Sequence, residues 1–154
     1  MRHAGSMALC IDKITGSRER NPMGNCLKVG ILGAGNIAGS MAEALNELQK
    51  EGKACAYAVA SRSQEKALEF ARKWNITRAY SSYEELASDP EVDLIYIATP
   101  HSLHYEQAKL CMEHGKNVLV EKAFTANARQ AEELFAMAEE KKVFITEAIW
   151  TRYM

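Results

Sequence analysis

The sequence predicts an α/β domain built on a doubly wound parallel sheet, and three observations lead there. Short, uniformly apolar runs alternate with helix-period segments from Leu27 to the end of the chain. Those runs are apolar on both faces, as strands covered by helices above and below must be. The first of them ends in Gly33-Ala34-Gly35-Asn36-Ile37-Ala38 and passes directly into a helix-forming stretch. Right-handed crossovers between such strands produce the doubly wound topology.

The elements follow in order. LKVGIL (27–32) reads as a buried strand, and 37–50 as an amphipathic helix. ACAYAVAS (54–61) is the second strand. The stretch 64–74 is a helix with Ala67, Phe70, Ala71 and Trp74 at helical spacing. A short strand over 78–80 and a short helix over 83–87 come next, and Asp89-Pro90 stops that helix. DLIYIAT (93–99) is another buried strand. The helix over 102–114 is ended by Gly115, and NVLVEK (117–122) is the fifth strand. A long helix over 127–142 places Ala131, Leu134, Phe135 and Ala138 on one face, and VFITEA (143–148) is the sixth strand. Residues 1–26 show no sustained period and no apolar core of signal-peptide length. They are expected to be a disordered extension, or for 1–22 the product of an upstream start ahead of Met23, leaving 27–154 as one dinucleotide-binding domain.

Composition narrows the class. The chain has 154 residues, is 47% hydrophobic and 25% charged, and carries a formal net charge of −1. That length suits a single domain with a substantial core. A near-neutral balance gives no footprint for nucleic acid or an anionic membrane, and no apolar run is long enough to span a bilayer. Cys10, Cys26, Cys55 and Cys111 are scattered without a CxxC pair. They read as reduced thiols of a cytoplasmic protein, and no metal site is expected.

The glycine turn carries the first chemistry. Gly33 lets the chain leave the strand sharply, Gly35 lets the backbone approach a pyrophosphate, and Ala38 is small enough for the helix to pack on the strand. Ala34, Asn36 and Ile37 complete this phosphate-binding opening of a Rossmann fold, where the pyrophosphate sits over the free N–H groups of the helix. A strand-helix turn that binds nothing is the alternative. The second strand decides the cofactor. It ends Ala60-Ser61-Arg62-Ser63 with no carboxylate to hold an adenosine ribose. Two hydroxyls and a guanidinium suit the 2′-phosphate of NADP in preference to NAD; the alternative is a solvated arginine.

The remaining strand ends collect Thr99, Pro100, His101, His104, Glu121, Lys122 and Glu147. Thr99 and Pro100 belong beneath the ribose and nicotinamide. His101 and His104 are read as substrate or cofactor contacts, or as helix-capping or exposed side chains. Lys122, ending a strand at the crevice, is the candidate for proton transfer, with Glu121 orienting it. A surface Glu-Lys pair is the competing reading.

At these residues the chain resembles the N-terminal half of the glucose-fructose oxidoreductase, inositol dehydrogenase and rhizopine-catabolism family (Gfo/Idh/MocA). The matching segments are GILGAGNIA, AVASRSQEKALEFARKW, ATPHSLH and VLVEKAFTANARQAEEL, and TEAIWTRYM looks closest to the dimeric dihydrodiol dehydrogenase branch. The resemblance covers about residues 27–154. It implies that Lys122, in Glu121-Lys122-Ala123, acts on a substrate hydroxyl or carbonyl beside the nicotinamide, with Ala123 standing where the family usually has proline. It also implies supporting cofactor roles for Trp150 and Arg152. Members of the family continue into a second α/β domain that supplies most of the substrate pocket and the dimer interface. The implied activity is hydride transfer between NADP(H) and a sugar-like or diol group, in a protein completed by that domain. A stand-alone NAD(P)-binding module without catalysis is the second reading.

Overall fold

The structure is a computed structural model that describes residues 26–149. Six strands form one sheet: β1 (Leu27–Leu32), β2 (Ala54–Ala60), β3 (Arg78–Tyr80), β4 (Leu94–Ile97), β5 (Asn117–Val120) and β6 (Ile145–Glu147). Their spatial order is β3-β2-β1-β4-β5-β6 and every pairing is parallel. The helices are α1 (Asn36–Lys50), α2 (Gln64–Trp74), α3 (Tyr83–Ser88), α4 (His104–Glu113) and α5 (Ala128–Lys141). The expected doubly wound fold is therefore present. Of the expected N-terminal extension, only Cys26 falls within the described residues.

Alternation along each strand divides the core in two. Val29, Ile31, Tyr96 and Leu119 point to one face and pack with Ala38, Ala42, Leu45, Phe70 and Ala71 of α1 and α2. Leu32, Ile95, Ile97, Val118 and Val120 point to the other and pack with Leu86, Cys111, Met112 and Leu134 of α3, α4 and α5. Because both faces are covered, the central strands are apolar along most of their length rather than at alternate positions only.

Element boundaries differ from the sequence expectation in several places: β4 and β5 end at Ile97 and Val120, two residues short of the expected 99 and 122, and three further differences stand out. The stretch 102–114 divides into a 3₁₀ turn, His101–Leu103, and α4. β4 begins at Leu94 because the Asp93 side chain is engaged with the neighbouring strand β1: its carboxylate accepts the Lys28 N–H at 2.9 Å. β6 is shortened to three residues, with the Phe144 N–H donated to the Asn117 side chain instead of to a strand neighbour. At this lower edge the buried Lys116 donates to the carbonyls of Asp89 and Val92 at 2.6 and 2.9 Å, tying the α3–β4 loop under β5.

Candidate functional site

All parallel strands end at one rim, and the sequence-predicted residues gather there. At the β1–α1 corner, Gly33 has φ +105°, and its N–H donates to the Ala60 carbonyl at 2.9 Å. A Cβ at Gly33 would lie 2.9 Å from the Ala98 carbonyl oxygen. This glycine is thus required by the protein itself, both for its left-handed backbone and for contact with the end of β4. Gly35 differs. Its backbone is extended (φ −95°, ψ −173°), and a Cβ there would meet no atom within 4 Å. Among the described residues nothing requires its missing side chain, and the space it leaves is open to a ligand.

The helix beyond is built to match. Ser63, Ser82 and Asn127 each cap α2, α3 and α5 with a side-chain oxygen. α1 starts at Gly35 with no side-chain cap and no acidic residue in its first turn. Its leading N–H groups and the positive end of its dipole are left for an external anion. Ala38 is fully buried against the sheet, while Asn36 and Ile37 are exposed, Ile37 at 47%. An exposed isoleucine at the head of this helix offers an apolar surface beside the anion site. Ala34 is half-buried between them. The residues present fit the pyrophosphate of a dinucleotide.

At the end of β2, Ser61 is nearly buried, and its hydroxyl oxygen accepts the Ser63 N–H at 3.4 Å. The Ser63 hydroxyl oxygen accepts the Lys66 N–H at 3.3 Å as the cap of α2. Both serines keep an O–H proton to donate. Arg62 is exposed, and among the described residues its guanidinium has no partner. No carboxylate stands among residues 60–63; the nearest in sequence is Glu65, in the first turn of α2.

The β4 end holds Thr99, whose hydroxyl donates to the Gln107 side-chain oxygen, and the exposed Pro100 and His101. His104 is not the exposed or capping residue that its position suggested. Its ring is fully buried, with Nδ1 2.8 Å from the Ala123 carbonyl oxygen and Nε2 2.9 Å from that of Thr99. Both ring nitrogens are engaged by the protein, so its reach toward a cofactor is through the two loops it touches. The register of α4 carried the signal for this: His104, Ala108 and Cys111 recur at helical spacing on the buried face.

Lys122 is exposed just past β5, and among the described residues its ammonium has no partner. Glu121 does not reach for that ammonium as the sequence reading expected. One of its oxygens accepts the Tyr96 O–H and the other accepts the backbone N–H of Lys122 at 3.1 Å. It therefore orients the lysine's backbone rather than its charge. Burial, joined by the Glu121 carboxylate, pushes the Tyr96 phenol far above its ordinary range, so it stays a neutral donor. The Lys122–Ala123 peptide is cis. Glu147 accepts the Phe124 N–H at 2.9 Å and holds the next turn of the same loop. Sequence reasoning missed Tyr96 and the loop-holding role of Glu147, because a tyrosine inside an apolar strand reads as packing. Trp150 and Arg152 lie outside the described residues.

The other reactive groups are quiet. Burial pushes the Cys111 thiol up to about 12, and burial with the neighbouring Cys26 does the same to Cys55. Both stay protonated, and a thiol in that form is a poor nucleophile. Among the described residues no group of three or more His, Cys, Asp or Glu is placed to hold a metal, and no helix is long and apolar enough to cross a membrane.

Comparison with known proteins points the same way. Residues 27–148 match the family model described as "Oxidoreductase family, NAD-binding Rossmann fold". The trans-1,2-dihydrobenzene-1,2-diol dehydrogenase of Mus musculus is 45% identical over 127 residues, and that of Xenopus tropicalis 43% over 126. The D-xylose 1-dehydrogenase (NADP(+)) of Hypocrea jecorina is 41% identical over 136 residues. Each alignment covers 82% of this chain, but only 38%, 38% and 35% of the relative's length. Among solved structures, KijD10, a 3-ketoreductase from Actinomadura kijaniata in complex with NADP, superimposes with TM-score 0.73 at 33% identity, over 80% of this chain and 38% of that one. An NAD binding oxidoreductase from Klebsiella pneumoniae does so with TM-score 0.74 at 31% identity, over 80% and 34%. With an open glycine cradle on a 3-2-1-4-5-6 parallel sheet and a family match along nearly all the described residues, the chain belongs to the Gfo/Idh/MocA oxidoreductase family, as its NAD(P)-binding Rossmann domain.

Proposed function

We propose that this domain binds NADP(H) in preference to NAD(H) and serves hydride transfer to or from a sugar-like or diol carbonyl or hydroxyl group. The observation that carries the cofactor preference is the end of β2, where Arg62 stands unpaired among the described residues and no acid is present. A ribose diol is ordinarily held by a carboxylate at that place, whereas a 2′-phosphate calls for a guanidinium. The NADP dependence in the name of the xylose dehydrogenase and the NADP in the KijD10 complex support the same choice. The substrate class follows the diol and sugar dehydrogenases among the relatives.

When bound, the nicotinamide cofactor supplies the hydride chemistry. The chain's own part is to seat and orient it. The α1 N-terminus and Gly35 receive the pyrophosphate, Ser61, Arg62 and Ser63 receive the 2′-phosphate, and Thr99 and Pro100 border the path toward the reacting end. Lys122 carries or accepts the proton at the substrate oxygen, on a loop whose backbone Glu121 and Tyr96 fix. Full turnover belongs to the chain joined to a second, substrate-binding domain, since the relatives extend well beyond the region matched here.

The test is a pair of titrations, NADPH and NADH, against the chain and its Arg62→Ala variant. NADPH is expected to bind more tightly, and Arg62→Ala to weaken NADPH by about 1–3 kcal/mol, the worth of a hydrogen bond to a charged group, while leaving NADH nearly unchanged. Equal affinities, or equal losses for both cofactors, would refute the assignment.

A further inference from the structure

We infer that His104 is a positioning residue that holds the cofactor-facing end of β4 and the lysine-bearing loop after β5 as one unit. The inference rests on the reading of Lys122 as the residue beside the nicotinamide.

Three observations carry it. The first is burial: the His104 ring has no exposed surface, although it opens a helix at the rim of the site, where a histidine is ordinarily wet. The second is what lies at either end of the ring. Nδ1 is 2.8 Å from the carbonyl oxygen of Ala123, the residue directly after Lys122, and Nε2 is 2.9 Å from the carbonyl oxygen of Thr99. A ring with protons on both nitrogens satisfies both carbonyls, and a ring with one proton satisfies one of them. The third is that, among the described residues, no other hydrogen bond joins Thr99 to Ala123; the nearest tie between the two segments is the Glu121 N–H to the Ile97 carbonyl at 3.0 Å, ahead of the lysine. Thr99 turns its hydroxyl to Gln107, and Ala123 follows a lysine whose N–H goes to Glu121.

Without His104, the part-buried carbonyls of Thr99 and Ala123 lose the ring between them, which frees the two loops to move apart beyond the last strand pairing. Lys122 then loses its fixed distance from whatever lies against Thr99. Small displacements of this kind act on the reacting geometry far more than on cofactor affinity, because the pyrophosphate is held at the other corner, by α1. His104 thus acts through the backbone of its neighbours and touches no ligand itself.

The experiment measures protection of Lys122 from acetylation by acetic anhydride, read by peptide mass spectrometry, with and without saturating NADPH. Lys142, exposed at the far end of α5, is the internal reference. In the wild-type chain NADPH is expected to slow Lys122 acetylation about tenfold relative to Lys142. In His104→Phe, NADPH affinity is expected to stay within about threefold of wild type while protection falls to about twofold or less. His104→Gln keeps an amide donor, is expected to restore part of the protection, and serves as the test variant if His104→Phe does not fold. Full protection in a variant that binds NADPH normally would overturn the positioning role. Absence of protection in the wild-type chain would overturn the placement of Lys122 itself, and this inference with it.

Discussion

The β1–α1 corner and the β5–α5 corner sit on the same rim of the sheet, and they are held by different means. At the first, the backbone is decisive: Gly33 fits its loop against the carbonyl of Ala98, and Gly35 leaves a gap that no atom of the described residues fills. At the second, the backbone of 121–124 is held from outside by side chains of other elements, Tyr96 through Glu121, His104 at Ala123 and Glu147 at Phe124. One corner is specified by what its residues lack and the other by what distant residues donate. A backbone-built corner tolerates changes in its neighbours, whereas a side-chain-built one is spread over residues far apart in sequence.

Substitutions that probe this contrast are expected to differ in kind as well as size. The largest effect belongs to Gly33→Val, which forces a branched side chain into a left-handed conformation and against the Ala98 carbonyl. It should destabilise the fold by about 2–5 kcal/mol, the sum of a left-handed penalty and overpacking, seen as a lowered midpoint in urea. Gly35→Val, only two residues on, should leave that midpoint nearly unchanged and weaken NADPH at least about a hundredfold, equivalent to ~2.7 kcal/mol. If the second glycine behaved like the first, the corner would be wholly structural and the cradle reading would fail.

On the other corner, Tyr96→Phe removes the donor to Glu121 and should cost about 1.5–3 kcal/mol of stability, the range for a hydrogen bond to a charged group. NADPH affinity should be retained, since the pyrophosphate is held elsewhere. A selective loss of NADPH binding would mean the two corners are coupled more tightly than their contacts indicate. Smallest is Ser63→Ala, which deletes the cap of α2 at about 1 kcal/mol of stability. Loss of NADPH affinity well beyond the loss for NADH would show that its hydroxyl also serves the 2′-phosphate.

How much of this was legible in the sequence follows the same division. The glycine corner was readable because local backbone requirements leave a local trace: small residues at fixed spacing after an apolar strand. The doubly wound topology followed from the alternation of strands with helices and from right-handed crossovers. Lys122 stood out by its place at a strand end in the crevice, where a surface Glu-Lys pair competed with it, and the family resemblance then weighed for the catalytic reading. Tyr96 was not legible as part of the site, and His104, collected with the strand ends, was not legible as a buried bridge, because their partners, Glu121 and Thr99 with Ala123, come together only when strands distant in sequence pair. The orientation of Glu121 toward Tyr96, rather than toward its own neighbour's ammonium, is likewise a property of the assembled sheet.

The central pairing of β1 with β4 has a kinetic consequence. These strands are joined through a 65-residue separation, from the Lys28 N–H to the Asp93 carboxylate, and every strand pair in the sheet is parallel. Contacts so far apart form late, after the loop entropy between them has been overcome. Gly33 meets Ala98 at that seam, so the cradle is complete only once both halves of the sheet have joined. A dinucleotide binding there recognises a finished domain and withdraws it from the unfolding equilibrium by mass action. In a refolding experiment, recovery of cofactor fluorescence should therefore trail the recovery of helical signal, and added NADPH should slow unfolding rather than hasten folding.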